Sequence, residues 1–190
     1  MAERTLQARS LTDGELIARS STTADAFHEL FDRHFKAVHR YLARRVGRDR
    51  ADDLASQTFT VAFTRRTTFR SDATDARPWL FGIATNLLMN ERRAEQRSLE
   101  AVDRIQAQPV PPVAGLAENG LDHEVAAALA ELDPDQRDVL LLFAWGELSY
   151  EEIASALAIP LGTVRSRMSR ARSHLRRSLE PSVQSKEALK

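Results

Sequence analysis

The chain has 190 residues and no cysteine, so it can form neither a disulfide framework nor a thiolate metal site. Its five histidines are scattered, and none joins carboxylates at helical spacing in a ligand set, so no metal and no cofactor is expected. No apolar run approaches the length of a membrane span, which argues against membrane insertion, and the opening residues MAERTLQARS lack the apolar core of a signal peptide. There is no nucleophile–base pair, phosphate-cradling glycine loop or metal cluster, so no catalytic residue can be named and neither an enzyme nor a small-molecule substrate is expected. Strand-like alternation and internal repeats are also missing. Lysine is nearly absent: Lys36, Lys186 and Lys190 stand against 24 arginines, a bias that a GC-rich genome explains as well as any binding need does. The reading that survives these absences is a cytoplasmic, all-α protein.

The charge that is present is segregated, although the formal net charge is zero. Asp122–Pro160 holds nine acids against one base, Arg137, whereas Leu161–Glu180 holds six arginines against Glu180 alone. The sign change falls inside a patterned stretch, Leu148–Leu179. Ser149 and Glu152 fit a capping box at a helix start, with Ile153, Ala154 and Leu157 following on one face. Ala158-Ile159-Pro160 then breaks the helix, and the proline suits the start of the next. In that next helix Val164, Met168, Ala171, Leu175 and Leu179 form an apolar stripe, opposite Arg165, Ser166, Ser169, Arg170, Ser173, Arg176 and Arg177. This pattern predicts a helix-turn-helix. A solvated arginine face on an αα-hairpin would share the spacing. The concentration of positive charge on one helix favours phosphate binding.

Upstream, Thr12 is placed to cap a short helix over 13–20, and a longer helix runs from Thr23 or Asp25 to Val46, ended by Gly47. A third spans 49 or 50 to 66 with Leu54, Phe59, Ala62 and Phe63 for the core, and Thr67–Thr74 is polar loop. A fourth runs from 75 or 76 to about Gln96, with Trp79, Leu80, Ile83, Leu87 and Leu88 inward. Helices resume over 122–132 and 134–145. Residues 98–121, with Pro109, Pro111, Pro112, Gly115 and Gly120, read as a flexible Pro-rich linker between a domain at 11–97 and one at 122–180, and 181–190 as a disordered tail.

Four segments, in order and at matching spacing, resemble the extracytoplasmic-function (ECF) class of bacterial sigma-70 factors. Asp53-Leu54-Ala55-Ser56-Gln57-Thr58-Phe59 is similar to that family's DLVQETF, and Ala76–Leu87, ARPWLFGIATNL, to its ARAWLFRIARNL. Leu132–Arg137 resembles its L-P-x-x-x-R segment, and Gly162–Arg167, GTVRSR, its GTVKSR. The likeness spans roughly residues 11–179, with no sign of the middle domain or acidic N-terminal region of larger sigma factors.

The resemblance implies a transcription-initiation subunit whose partners are core RNA polymerase, promoter DNA and an anti-sigma factor. By matching position, Asp52, Asp53, Ser56 and Gln57 would meet polymerase; the family usually has Gln-Glu where this chain has Ser56-Gln57, a lost carboxylate that should weaken docking. Arg70, Ser71, Asp72 and Thr74, with Asn86 and Asn90 on the following helix, would read the −10 element, where a pocket for an unstacked base is needed. Arg165, Ser166, Ser169 and Arg170 would reach −35 base edges, with Thr163 and Arg167 on phosphates. The competing expectation is a helix-turn-helix regulator with a helical sensing or dimerisation domain, which has no need of Asp53–Phe59 or Phe69–Asn90.

Overall fold

The amphipathic stripes close into two helical bundles in the computed structural model, which describes residues 11–70, 73–102 and 122–187. Among the described residues every regular element is helical. In the first bundle α1 (Asp13–Arg19) starts at a reciprocal cap: Thr12 Oγ1 accepts the Glu15 amide at 3.2 Å, and the Glu15 carboxylate accepts the Thr12 amide at 2.7 Å. α2 (Asp25–Val46) buries Phe27, Leu30, Val38, Tyr41 and Leu42, and ends where Gly47 turns the backbone at φ 83°. α3 (Arg48–Thr64) packs on it through Leu54, Ala55, Phe59 and Ala62. Aromatic rings bind the pair, with Phe31 centred 4.7 Å from Phe35 and 4.9 Å from Phe59. Phe63, expected in the core, is 38% exposed; it lies at the edge of this stack, 5.1 Å from Phe27 and beneath the Arg66 guanidinium.

A 3-10 turn, Arg66–Thr68, opens the loop before α4 (Arg77–Val102). Leu80 and Leu88 are buried as expected, but so are Phe81 and Ala84, while Trp79, Ile83 and Leu87 are half-buried. The difference arises because α4 is covered on two sides, by α2 and α3 and also by the second bundle. α4 also runs five residues into the expected linker. Ser98–Val102 holds neither glycine nor proline, so the helix propagates. The rest of the linker, 103–121, lies outside the described residues.

The second bundle comprises α5 (His123–Glu131), α6 (Pro134–Ala144), α7 (Tyr150–Leu157) and α8 (Leu161–Glu187). Asp122, Asp133 and Ser149 cap the first three through side-chain oxygens, and the Ser149–Glu152 box is reciprocal at 3.2 and 2.7 Å. The turn between α7 and α8 is made by Ala158 in the left-handed region, φ 52°, before Pro160 contributes. The backbone of 181–187 is helical where a disordered tail is expected: past Pro181 no glycine interrupts a helix already five turns long by the usual ~3.6 residues per turn. Residues 188–190 lie outside the described residues.

The bundles meet along α4 and α7. Gly82 permits this, since a Cβ there would intrude on the Ala156 carbonyl. Beside that contact, Arg45 on α2 pairs with Asp138 on α6, both fully buried, and Arg92 on α4 approaches Asp138 to 3.8 Å.

Candidate nucleic-acid interface

α8 realises its sequence pattern directly. Val164, Met168 and Ala171 are fully buried against α5, α6 and α7, which leaves Arg165, Ser166, Ser169 and Arg170 exposed on the opposite face. Ser166 Oγ donates to the Thr163 carbonyl at 3.0 Å, so this serine is partly engaged by its own helix. Thr163 is half-buried. Arg167 differs from its neighbours: its guanidinium pairs with Asp135 at the start of α6, tying the two helices together, so it would reach a phosphate only by releasing that acid. Further along, Ser169, Arg170, Ser173, Arg176 and Arg177 line an open groove of about 680 Å³ against Asp133 and Gln136. The exposed face thus offers arginine forks and small hydroxyls on a rigid helix, the side-chain chemistry that reads base edges in a major groove.

In the first bundle Asn86 and Asn90 are both exposed, one turn apart on α4, while Thr85 beside them is buried and bonded to Tyr41. Arg70 and Thr74 are exposed in the loop ahead of α4; Ser71 and Asp72 lie outside the described residues. Trp79 packs edge-on to Phe69, 5.2 Å between centroids, under this loop. The four α3 residues expected to meet polymerase, Asp52, Asp53, Ser56 and Gln57, are all exposed on one face. Asp52 accepts a hydrogen bond from His39 Nε2 at 2.7 Å, and Ser56 Oγ donates to the Asp52 carbonyl at 2.9 Å.

Three buried polar clusters escape the sequence reading. Arg137, within the Leu132–Arg137 segment, donates to the carbonyls of Leu129, Ala130 and Leu132 at 2.6–2.7 Å and so closes the end of α5. Burial, and after it the nearby Arg92 and Arg45, push its pKa down to about 10, which leaves it charged at neutral pH. Around Arg45, the Tyr41 hydroxyl accepts from Nη1 at 2.6 Å and shares a hydrogen bond with the Thr85 hydroxyl at 2.9 Å; burial keeps the Tyr41 hydroxyl protonated. The third cluster surrounds Asp13, which is 4% exposed. One signal was available for two of these: His34 and Arg45 fall on the same three-to-four spacing as Phe27, Leu30, Val38, Tyr41 and Leu42, as polar residues on an apolar stripe.

Comparison with known proteins matches residues 30–98 to the Sigma-70 region 2 family and residues 122–175 to the Sigma-70, region 4 family. The ECF RNA polymerase sigma factor EcfG of Rhodopseudomonas palustris is 35% identical over 127 residues, 67% of this chain and 70% of that protein. The ECF factor SigE of Mycolicibacterium smegmatis is 34% identical over 157 residues, 80% of this chain but 60% of its own length. Among solved structures, the sigma factor RpoE of Bartonella quintana, in complex with the anti-sigma factor NepR, superposes with a TM-score of 0.65 at 26% identity, covering 81% of this chain and 96% of that one. CnrH in complex with the cytosolic domain of CnrY gives 0.64 at 28% identity, covering 89% and 97%. The region 2 match covers the segments that a plain helix-turn-helix regulator would not need, and with region 4 behind it the chain belongs to the ECF sigma factors of the sigma-70 family.

Proposed function

We propose that this chain binds core RNA polymerase through the exposed α3 face, reads the −35 element with α8, and reads and opens the −10 element with the loop before α4 and with α4 itself. One observation carries this reading: the exposed arginine–serine face of α8 and the exposed Asn86/Asn90 face of α4 belong to separate bundles. A single-site DNA binder needs one such face, whereas promoter recognition needs two. Arg165, Ser166, Ser169 and Arg170 contact bases, and Thr163 contacts phosphate, as does Arg167 once it leaves Asp135. Asn86 and Asn90 supply donor and acceptor groups to an unstacked base, alongside Arg70, Ser71, Asp72 and Thr74. The protein acts as a polymerase subunit rather than an enzyme and works in the cytoplasm, where its template is. An anti-sigma protein holds it inactive, a role supported by the solved Bartonella quintana relative bound to the anti-sigma factor NepR.

The test is selection of DNA from a randomised pool by core polymerase loaded with this chain. Two conserved blocks at fixed separation are expected. Recovery of one block, or failure of the chain to co-purify with core, would sink the reading.

A further inference from the structure

The region 2 match begins at residue 30, so α1 lies outside it, yet α1 is tied to the segment that leads into α4. Asp13 makes the connection with both of its polar ends. Its amide donates to the Thr74 carbonyl at 3.2 Å, and its Oδ2 accepts the Ala76 amide at 2.9 Å. The same Oδ2 is 2.7 Å from His34 Nε2, and Oδ1 accepts from Arg33 Nη1 at 2.7 Å. Arg33 also holds the Leu11 carbonyl at 3.0 Å. Next in the chain, Gly14 lies so close to the Ala73 carbonyl that a Cβ would intrude on it, and Phe69 Cε1 is 3.8 Å from that position. Residues 12–14 are themselves fixed by the Thr12–Glu15 capping box.

Every one of these contacts with 73–76 is to backbone. The path of this backbone is thus set by a buried carboxylate and a missing Cβ. Ala76 is the residue before α4, its carbonyl accepting the Leu80 amide at 2.9 Å, so the same carboxylate also sets where α4 begins. We infer that Asp13 and Gly14 are positioning residues for −10 recognition: they hold the Ala73–Ala76 backbone so that Arg70, Thr74 and the exposed face of α4 present one fixed geometry to the unstacked base. The inference rests on the −10 role given above to that loop and helix. A base pocket discriminates only as sharply as its walls are held, so loosening this anchor blurs the choice among bases before it abolishes opening.

The experiment uses holoenzyme made from core polymerase and the full chain, on promoters drawn from a randomised pool and carrying single base changes in the −10 block. Asp13→Ala removes the anchor, Gly14→Ala pushes on the Ala73 carbonyl without removing a buried partner, and Glu29→Gln is the control, because it removes only the charge of the outer Arg33–Glu29 pair. Open-complex formation by permanganate gives the base preference; competition for core and binding to −35-only DNA are measured in parallel. Both anchor variants should lose about tenfold in discrimination among −10 bases, the scale of one net hydrogen bond, with core affinity and −35 binding unchanged. The control should match wild type. If Asp13→Ala does not fold by thermal melting, Gly14→Ala decides. Unchanged base preference in Gly14→Ala, or an equal loss of core and −35 binding in both variants, would overturn the positioning role. Failure of wild type itself to open any promoter would instead overturn the function on which it rests.

Discussion

Asp13 shows how a buried acid reports its own environment. Burial opposes its charge, but hydrogen bonds from His34, the Ala76 amide and Arg33 outweigh that cost and hold its pKa at about 2, below the ordinary 3.8. A carboxylate with a lowered pKa contributes stability above its unfolded value and loses it as the pH falls toward the folded value, so the window here is roughly pH 4 down to pH 2. Asp13→Asn should flatten the acid limb of unfolding in that window, removing a contribution of about 2 kcal/mol; urea titrations at stepped pH check it, and parallel curves for variant and wild type would contradict it. Arg137 makes a second single-residue case. It satisfies three carbonyls at once, so Arg137→Ala should destabilise the second bundle by about 2–4 kcal/mol, and Arg137→Lys should recover little because an ammonium cannot reproduce the fork. On the reading face, Arg165→Ala should cost about 1–3 kcal/mol on the selected −35 sequence alone. Equal loss on all sequences would make Arg165 a phosphate contact.

At the scale of helices, α4 and α8 expose different chemistry. α8 is stiffened by one buried stripe and presents charge, whereas α4 is sandwiched and presents two neutral amides. Replacing Asn86 and Asn90 together with Ala should impair opening, read by permanganate, while leaving core affinity intact; both residues are exposed, so the fold has nothing to lose. Most helix limits were legible because they are local. Thr12, Asp122, Asp133 and the Ser149–Glu152 box announce starts by side-chain chemistry, and Gly47 announces a stop. The turn at Ala158 was legible as a break but not as a left-handed alanine, because a propensity rule expects glycine or asparagine there. The exposed polar face of α8 was legible from periodicity alone, whereas the choice of Arg165, Ser166, Ser169 and Arg170 within it came from the family resemblance. The pairing of Arg167 was not legible, since the acid that engages it is Asp135, a whole helix-turn-helix away in sequence.

The whole molecule adds what no window of sequence contains. Arg45 and Asp138 lie 93 residues apart, and nothing local to either marks the other as its partner. Their pairing, with Gly82 against Ala156, brings the two bundles together. α7 touches both α4 and α8, so the two reading faces are separated by little more than two helix diameters, roughly 20–30 Å. The −35 and −10 elements are about 25 base pairs apart, roughly 85 Å along B-DNA. With α4 on one element and α8 on the other, as proposed, one packed molecule would not span both, and the bundles would have to separate on the promoter. Gly82→Ala should favour separation while raising the intrinsic helix propensity of α4 by about 1 kcal/mol, and Asp138→Ala should do so by leaving Arg45 without its carboxylate. Small-angle scattering of the free protein should show a larger radius of gyration for both variants, and unchanged curves would show that neither contact holds the bundles together.

Permanganate probing of unpaired thymines tests promoter opening most directly. Core polymerase alone and core with this chain are compared on a template carrying the two selected blocks. Reactive thymines are expected only when the chain is present, confined to the −10 block and its downstream edge, and lost when either block is scrambled. Reactivity that ignores the chain, or that survives scrambling of the −10 block, would contradict it.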